Sequence, residues 1–442
     1  MSGQRSFAGP SALDESGLSL GLAPALTPQG LDQDPHFFTG FAVRPTVLAR
    51  GLLTLADITA TRYFQYTPTS QRDPVLTANG DRLRAECFSA CNGVYARLDL
   101  LAPGFDGGDI QHGTTNVDLG AEIRALLAGL GRAELLHLRV GSDGLHAATP
   151  DTQAAERPVN MPDRWVRALG NLAEGHRGLS PVLQLGAADA RALLAQAPAA
   201  SAADKTLWLT PARSGLRIGT RPGAAAIALP GPHRLSAAKR LLTHVLGAVI
   251  YAGDAGDVAV ELRLPDARLT LGLTAESWRG HSGEGALLGQ LAAPERLADA
   301  ELVSALLAYE PVIDLGRLQR DSGLSAERAS GALAVLAASG RVGWDLHDGA
   351  HFHRELADHP DRVTRDQPRL VRARSIVAEG RVSATGPGEW TVAGSEGSLD
   401  ALVRTPGDEP SCSCAWFLRH GSGRGPCAHL LAVQLFTREH HD

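Results

Sequence analysis

Three of the five cysteines in this 442-residue sequence fall in one stretch, "PSCSCAWFLRHGSGRGPCAHLLAVQL". Cys412 and Cys414 stand one residue apart, twelve residues follow, and Cys427 and His429 again stand one residue apart. Three thiols and one imidazole are the ligand types and number that a closed tetrahedral Zn2+ site requires. With four protein ligands no position stays open for a reacting water, so such a metal would be structural. A clustered, odd set of cysteines in a long chain reads as metal chemistry rather than as a disulfide scaffold. Pro426 and the leucines of "LLAVQLF" set the second ligand pair at the start of a helix, while a Cys-x-Cys pair can clasp metal from a strand end. His420, inside the gap, reads as a loop histidine.

Other residue groups carry less chemistry. Cys87 and Cys91, if on one strand, would have Cα atoms about 13 Å apart, too far for a disulfide. With no further cysteine or histidine pair beside them they read as core thiols. The stretch "DLHDGAHFHRELADH" holds His347, His351, His353 and His359 without a matched second ligand pair, and reads as a solvated hairpin. "HGTTNVD" is accounted for by Asp118 capping a helix. Neither GxxxxGK[ST], HExxH nor GxSxG occurs, so the expectation is a protein that is not an enzyme. An enzyme would need a site dispersed through the N-terminal half.

A net charge of −6 excludes a surface coated in positive charge and leaves local patches. Arg213, Arg217 and Arg221 punctuate one hairpin, and Arg234, Lys239 and Arg240 follow it. Arg362, Arg365, Arg369, Arg372, Arg374 and Arg381 lead into the cysteine cluster. Side chains so placed would track the phosphates of DNA or RNA. No apolar run approaches the roughly 20 residues that cross a bilayer. The opening thirty residues lack the basic segment and apolar core of a secretory leader, so the cytoplasm is the expected location.

The elements that must position these residues give an α+β chain of several domains. Residues 1–35, rich in Gly, Ser and Pro, are expected to be a flexible arm. Residues 36–200 read as an N-terminal α+β domain: a helix in "RPTVLARGLLTLADITATRYF", a hairpin turning at Asn92-Gly93, a helix capped by Asp118, and a hairpin around Asp143-Gly144. Residues 201–284 read as a second α+β unit, with strands "TLWLT", "GLRIGT" and "AAIALPG", a helix "SAAKRLLTHVLGAVIY" and the hairpin "VAVELRLPDARLTLGLT". Residues 285–359 give three helices and a hairpin, with Ser325 capping the third helix and Asp348-Gly349 turning the strands. That order resembles a winged helix-turn-helix. The third helix would expose Ser325, Glu327, Arg328 and Ser330, a poor face for reading bases, so the segment reads as a packing or docking module.

Residues 360–442 combine a hairpin in "SIVAEGRVSATGPGEWTVAGSEGSLDALVRT", the Cys-x-Cys pair, and Cys-x-His before a helix. This pattern resembles the SWIM zinc finger, a ββα module, over about residues 369–438, and the layout of the whole chain resembles bacterial SWIM zinc-finger family proteins. The resemblance implies that Cys412, Cys414, Cys427 and His429 ligate Zn2+. It further implies a role in a multi-component system beside an AAA-type ATPase and a von Willebrand A-type protein, with protein or DNA as partner. The expectation is therefore a non-enzymatic zinc-binding adaptor that docks a protein partner. The alternative is a nucleic-acid-binding protein in which the winged helix and the finger cooperate.

Overall fold

The computed structural model describes the chain except residues 1–11, 15–16, 20–24, 28–29, 33–35, 70–72, 132–133, 160, 162, 213–214, 284, 286, 292–294, 355, 357–366, 396–398, 406–409 and 441–442. It is a mixed α/β structure with several antiparallel sheets.

Four stretches, "RLRAECF", "VYARLDLL", "VAVELRL" and "ARLTLGL", place apolar residues at every second position, and a strand sends alternate side chains to opposite faces. They form the centre of an eight-stranded antiparallel sheet. Its order is His112–Asn116, Val75–Asn79, Arg82–Phe88, Val94–Leu101, Ala267–Leu273, Val258–Leu264, Gly247–Ala252 and Ser180–Gly186. The apolar face, with Leu83, Ala85, Cys87 and Leu98, packs under the helix Pro45–Thr59. Gly51 makes this approach, since a Cβ there would stand 2.6 Å from Leu98 Cδ2. Cys87 is a core thiol, as expected, and points at the Leu55 carbonyl. A second antiparallel sheet of five strands, from Phe105–Ile110 to Gln153–Glu156, includes the hairpin expected at Asp143-Gly144.

Strands from both sides of residue 200 enter the large sheet, so the segments 36–200 and 201–284 share one core. Periodicity marks strands but is silent on which strands pair. Two local readings change. Residues "SAAKRLLTHVLGAVIY" are not one helix: a 3-10 segment, Pro232–His244, gives way to the strand Gly247–Ala252. The β-branched Val249 and Ile250 and the aromatic Tyr251 favour extended backbone, and that strand has a partner on each side. The helix Ala121–Gly129 is not capped by Asp118; Gly120 is its cap residue, and the Gly120 N–H donates to Glu156 Oε1 at 2.8 Å.

The order expected over 285–359 is present: helices Glu295–Leu306, Leu315–Ser322 and Ala326–Ala338, then strands Val342–Asp345 and Ala350–His353. Ser325 caps the third helix, accepting from Arg328 N at 3.3 Å. These helices share an apolar core with helices Pro368–Ala378 and Ala428–Glu439. The third helix also lies against Asp163–Arg177, where a Cβ on Gly170 would meet Ala338 Cα at 2.7 Å.

Only the turn of the hairpin is solvated, where His347 is about half exposed and pairs with Glu261; the strands are not. The hairpin covers the polar face of the large sheet, where the register sets Arg84, Asp99 and Arg268 in one row and Glu86, Arg97, Thr270 and Glu261 in the next. Asp345, fully buried, reaches Arg84 Nη1 at 2.8 Å and Arg97 Nη2 at 2.9 Å, with Arg268 Nη2 at 3.5 Å. Asp99 takes Arg84 at 3.1 Å and Arg97 at 2.9 Å from the other side. Arg354 reaches Glu86 at 2.5 Å, and the Arg84 guanidinium lies 3.9 Å from the Phe352 ring centroid. Although Asp345 is buried, the guanidinium groups of Arg97, Arg84 and Arg268 hold its carboxyl far below the usual range.

His351 and His353 are buried in this hairpin rather than exposed for metal, and His359 lies outside the described residues. His353 Nδ1 accepts from Tyr309 N at 2.7 Å, and His351 stacks edge-on against Trp344. Burial pushes the His351 pKa down to about 3. Unfolding would return it towards the free value near 6.5, so below that pH the unfolded chain binds a proton that the folded one refuses. Its contribution is complete above about pH 6.5 and is lost as pH falls towards 3, at about 1.4 kcal/mol per pH unit. Urea melts from pH 7 to 4 should show stability falling, with a shallower slope in His351→Phe; equal slopes would contradict the buried neutral imidazole.

Candidate metal centre

The four residues singled out by spacing converge. Cys412 ends the edge strand Ser411–Cys412 of a four-stranded sheet whose order is Val382–Gly386, Glu389–Val392, Ala401–Arg404, Ser411–Cys412. The expected hairpin is thus part of a larger sheet, and its first residues belong to the helix Pro368–Ala378. Cys414 caps the helix Ala415–His420, and Cys427 caps the helix Ala428–Glu439, on whose first turn His429 sits.

The ligand atoms of Cys412, Cys414, Cys427 and His429 all lie within 4.8 Å of one another, and Cys412 Sγ is 3.7 Å from His429 Nδ1. Around zinc, bonds of about 2.3 Å to sulfur and 2.0 Å to nitrogen set ligand atoms roughly 3.4–3.8 Å apart. Backbone N–H groups already face each sulfur: Cys414 N to Cys412 Sγ at 3.5 Å, Phe417 N to Cys414 Sγ at 3.4 Å, and Leu430 N to Cys427 Sγ at 3.5 Å. Such donors, two of them at helix starts, favour thiolate over thiol. The Cys412 hydrogen bond brings the Cys427 pKa down to about 4 against the effect of burial, while the same pairing pushes Cys412 up. This donor set fits a metal ion and is consistent with Zn2+. His420 lies outside the cluster, tilted against Trp416 with ring centroids 5.0 Å apart.

The predicted arginines divide. Arg213 and Arg365 lie outside the described residues, as does Arg362. Arg217, on the edge strand Gly215–Gly219, and Arg221 are exposed; so are Arg372 and Arg374 on the helix Pro368–Ala378. Arg234 is fully buried and donates to the carbonyls of Gly93, Pro230 and Thr274, which no phosphate could share. Arg240 pairs with Asp57 at 2.5 Å. Arg369 braces the metal loop: it donates to the carbonyls of Arg424 at 2.8 Å and Pro426 at 3.0 Å, over the Trp416 ring. Opposite it, Gly425 has φ +74°, and a Cβ there would stand 2.2 Å from Gly285 O.

Sequence reading missed a collar of cations and aromatics around this loop. Arg424 donates to Gly283 O at 2.9 Å and faces Trp278, which is half exposed. Arg279, Arg419 and Arg424 lie close enough to His420 to lower its pKa beyond the effect of partial burial. Trp278 and Arg279 stand some 140 residues before the loop, so no local motif announces them.

No family model matches the sequence, and no curated protein matches it. Solved structures that match include proliferating cellular nuclear antigen from Entamoeba histolytica, with TM-score 0.36 and 11% identity over 54% of this chain and 99% of that chain. Another is the PCNA2–PCNA3 complex from Sulfolobus tokodaii, with TM-score 0.39 and 7% identity over 54% of this chain and 98% of that chain. Similarity at this level carries no argument about function. Among the described residues no helix is long and apolar enough to cross a membrane.

Proposed function

We propose that this chain is a non-enzymatic zinc-binding adaptor whose C-terminal finger, of the SWIM type, docks a protein partner. The observation that carries the reading is the convergence of Cys412, Cys414, Cys427 and His429 with an N–H donor to each sulfur. Zinc held there supplies a structural cross-link between the sheet edge and two helix starts. The winged-helix-like segment serves as packing: its third helix is buried from Gly331 to Ala338, Arg328 is paired with Asp299 at 2.5 Å, and its hairpin is sunk against the large sheet. Affinity capture with the parent and Cys412→Ser tests the adaptor: a partner retained by the first and lost by the second is the expected result. No stable partner for the metal-loaded parent would sink it.

The collar favours a second reading, in which the finger binds DNA or RNA. The half-exposed Trp278 beside arginines suits an unpaired base and phosphates together. Gel shifts with single- and double-stranded DNA should then show affinity falling steeply with salt, and weaker binding by Trp278→Ala and Arg419→Ala. Absence of binding at low salt would remove this reading and leave the protein-docking one.

A further inference from the structure

The guanidinium of Arg369, at the start of the helix Pro368–Ala378, touches the flanks of both ligand pairs. Its central carbon stands 4.6 Å from the ring centroid of Trp416, two residues after Cys414. Its Nη1 donates to the carbonyls of Arg424 at 2.8 Å and Pro426 at 3.0 Å, which lead into Cys427. The same side chain also reaches out of the finger, with Nη2 3.4 Å from Gly283 O. Gly283 O accepts from Arg424 Nη2 as well, at 2.9 Å, and Arg279 Nη2 donates back to Gly423 O at 3.4 Å. Arg279 and Gly283 follow the large-sheet strand Ala267–Leu273, so a seam of hydrogen bonds joins the metal loop to the sheet. Backbones meet in it without side chains between them. A Cβ on Gly425 would run into Gly285 O, and a Cβ on Gly285 into the Arg369 guanidinium.

The loop runs Gly-Ser-Gly-Arg-Gly-Pro from Gly421 to Pro426, a composition that loses much conformational freedom on ordering. Contacts that hold it in place lower the cost of bringing Cys427 and His429 to the metal, which is preorganisation. We infer that Arg369 is a positioning residue of the metal centre, and that the seam couples metal occupancy to the collar. With metal bound, the ordered loop sets Arg424 against Trp278 and Gly283. Without metal, the loop leaves Gly283 and the two sides of the collar part. The inference rests on the zinc reading of the finger. Such coupling is reciprocal, so loosening the seam from the sheet side should weaken zinc binding.

Zinc affinity of the full chain, measured by competition with a chromophoric chelator, tests this. Arg369→Leu should bind zinc at least tenfold more weakly. Arg369→Lys, the variant to read if the first fails to fold, should be nearly as weak, because an ammonium cannot supply the planar fork that holds several carbonyls. Arg279→Leu, 144 residues before the loop glycine it contacts, should weaken zinc binding at least threefold. Arg438→Leu, which removes an exposed charge far along the last helix, should leave it unchanged. Urea midpoints of the metal-free variants should match that of the metal-free parent, since the seam forms only with the loop ordered. Zinc affinity within threefold of the parent in both Arg369 variants would overturn the positioning role, as would metal-free and metal-loaded midpoints lowered equally. Affinity within threefold in Arg279→Leu would overturn the coupling. A parent that takes up no zinc would instead sink the zinc reading, and this inference with it.

Discussion

Asp345→Ala should lower the unfolding free energy by about 3–5 kcal/mol, the cost of removing one partner from a buried ion pair. The carboxylate lies between Arg84, Arg97 and Arg268, none more than 7% exposed at the side chain. Without it Asp99 would face the guanidinium groups of Arg84, Arg97 and Arg268 with only Asp348, at 3.7 Å from Arg268, to share them. Asp345→Asn should cost nearly as much, because the shape survives but the charge does not. Urea midpoints read the effect. A control at Glu389, whose pair with Arg404 is exposed on both sides, should cost less than about 1 kcal/mol. Similar losses at the two positions would mean that the buried network is not what joins the hairpin to the sheet.

Metal removal should have the larger local effect. Metal binding in structural zinc fingers is worth on the order of 10–16 kcal/mol near neutral pH, and the folding of the ligand loops draws on it. Cys427→Ser removes a sulfur at a helix start, and His429→Ala removes the one imidazole of the set. Each variant, like chelation of the parent, should reduce bound zinc from one ion per chain to none. Amide exchange should then quicken through residues 411–439, while the central strands of the large sheet keep their protection. One zinc per chain retained by both variants would place the ion elsewhere.

The metal residues were legible because their chemistry is local. Cys-x-Cys, a gap and Cys-x-His state the candidate ligands outright, and Pro426 with the following leucines states the helix. Most strands were legible for the same reason, as the hairpins at Asn92-Gly93 and Asp143-Gly144 show. The buried charges were not. In "RLRAECF" and "VYARLDLL" the alternating Arg, Glu and Asp look like the wet face of a half-buried sheet. Only a hairpin about 245 residues after Asp99 makes them interior. The arginines near the finger misled in the opposite way: composition could not show that Arg369 is taken by loop carbonyls, or that Arg234 is enclosed.

That long separation also orders events during synthesis. Arg84, Asp99 and Arg97 emerge early from the ribosome, Arg268 much later, and Asp345 later still. Until then three guanidinium groups of the sheet have one shared acid among them, and their face must stay hydrated. The sheet can close its polar side only after the hairpin has been made. Assembly of the core is thereby timed by a residue 246 positions after Asp99, and the last of the four metal-site residues, His429, follows only 84 residues later.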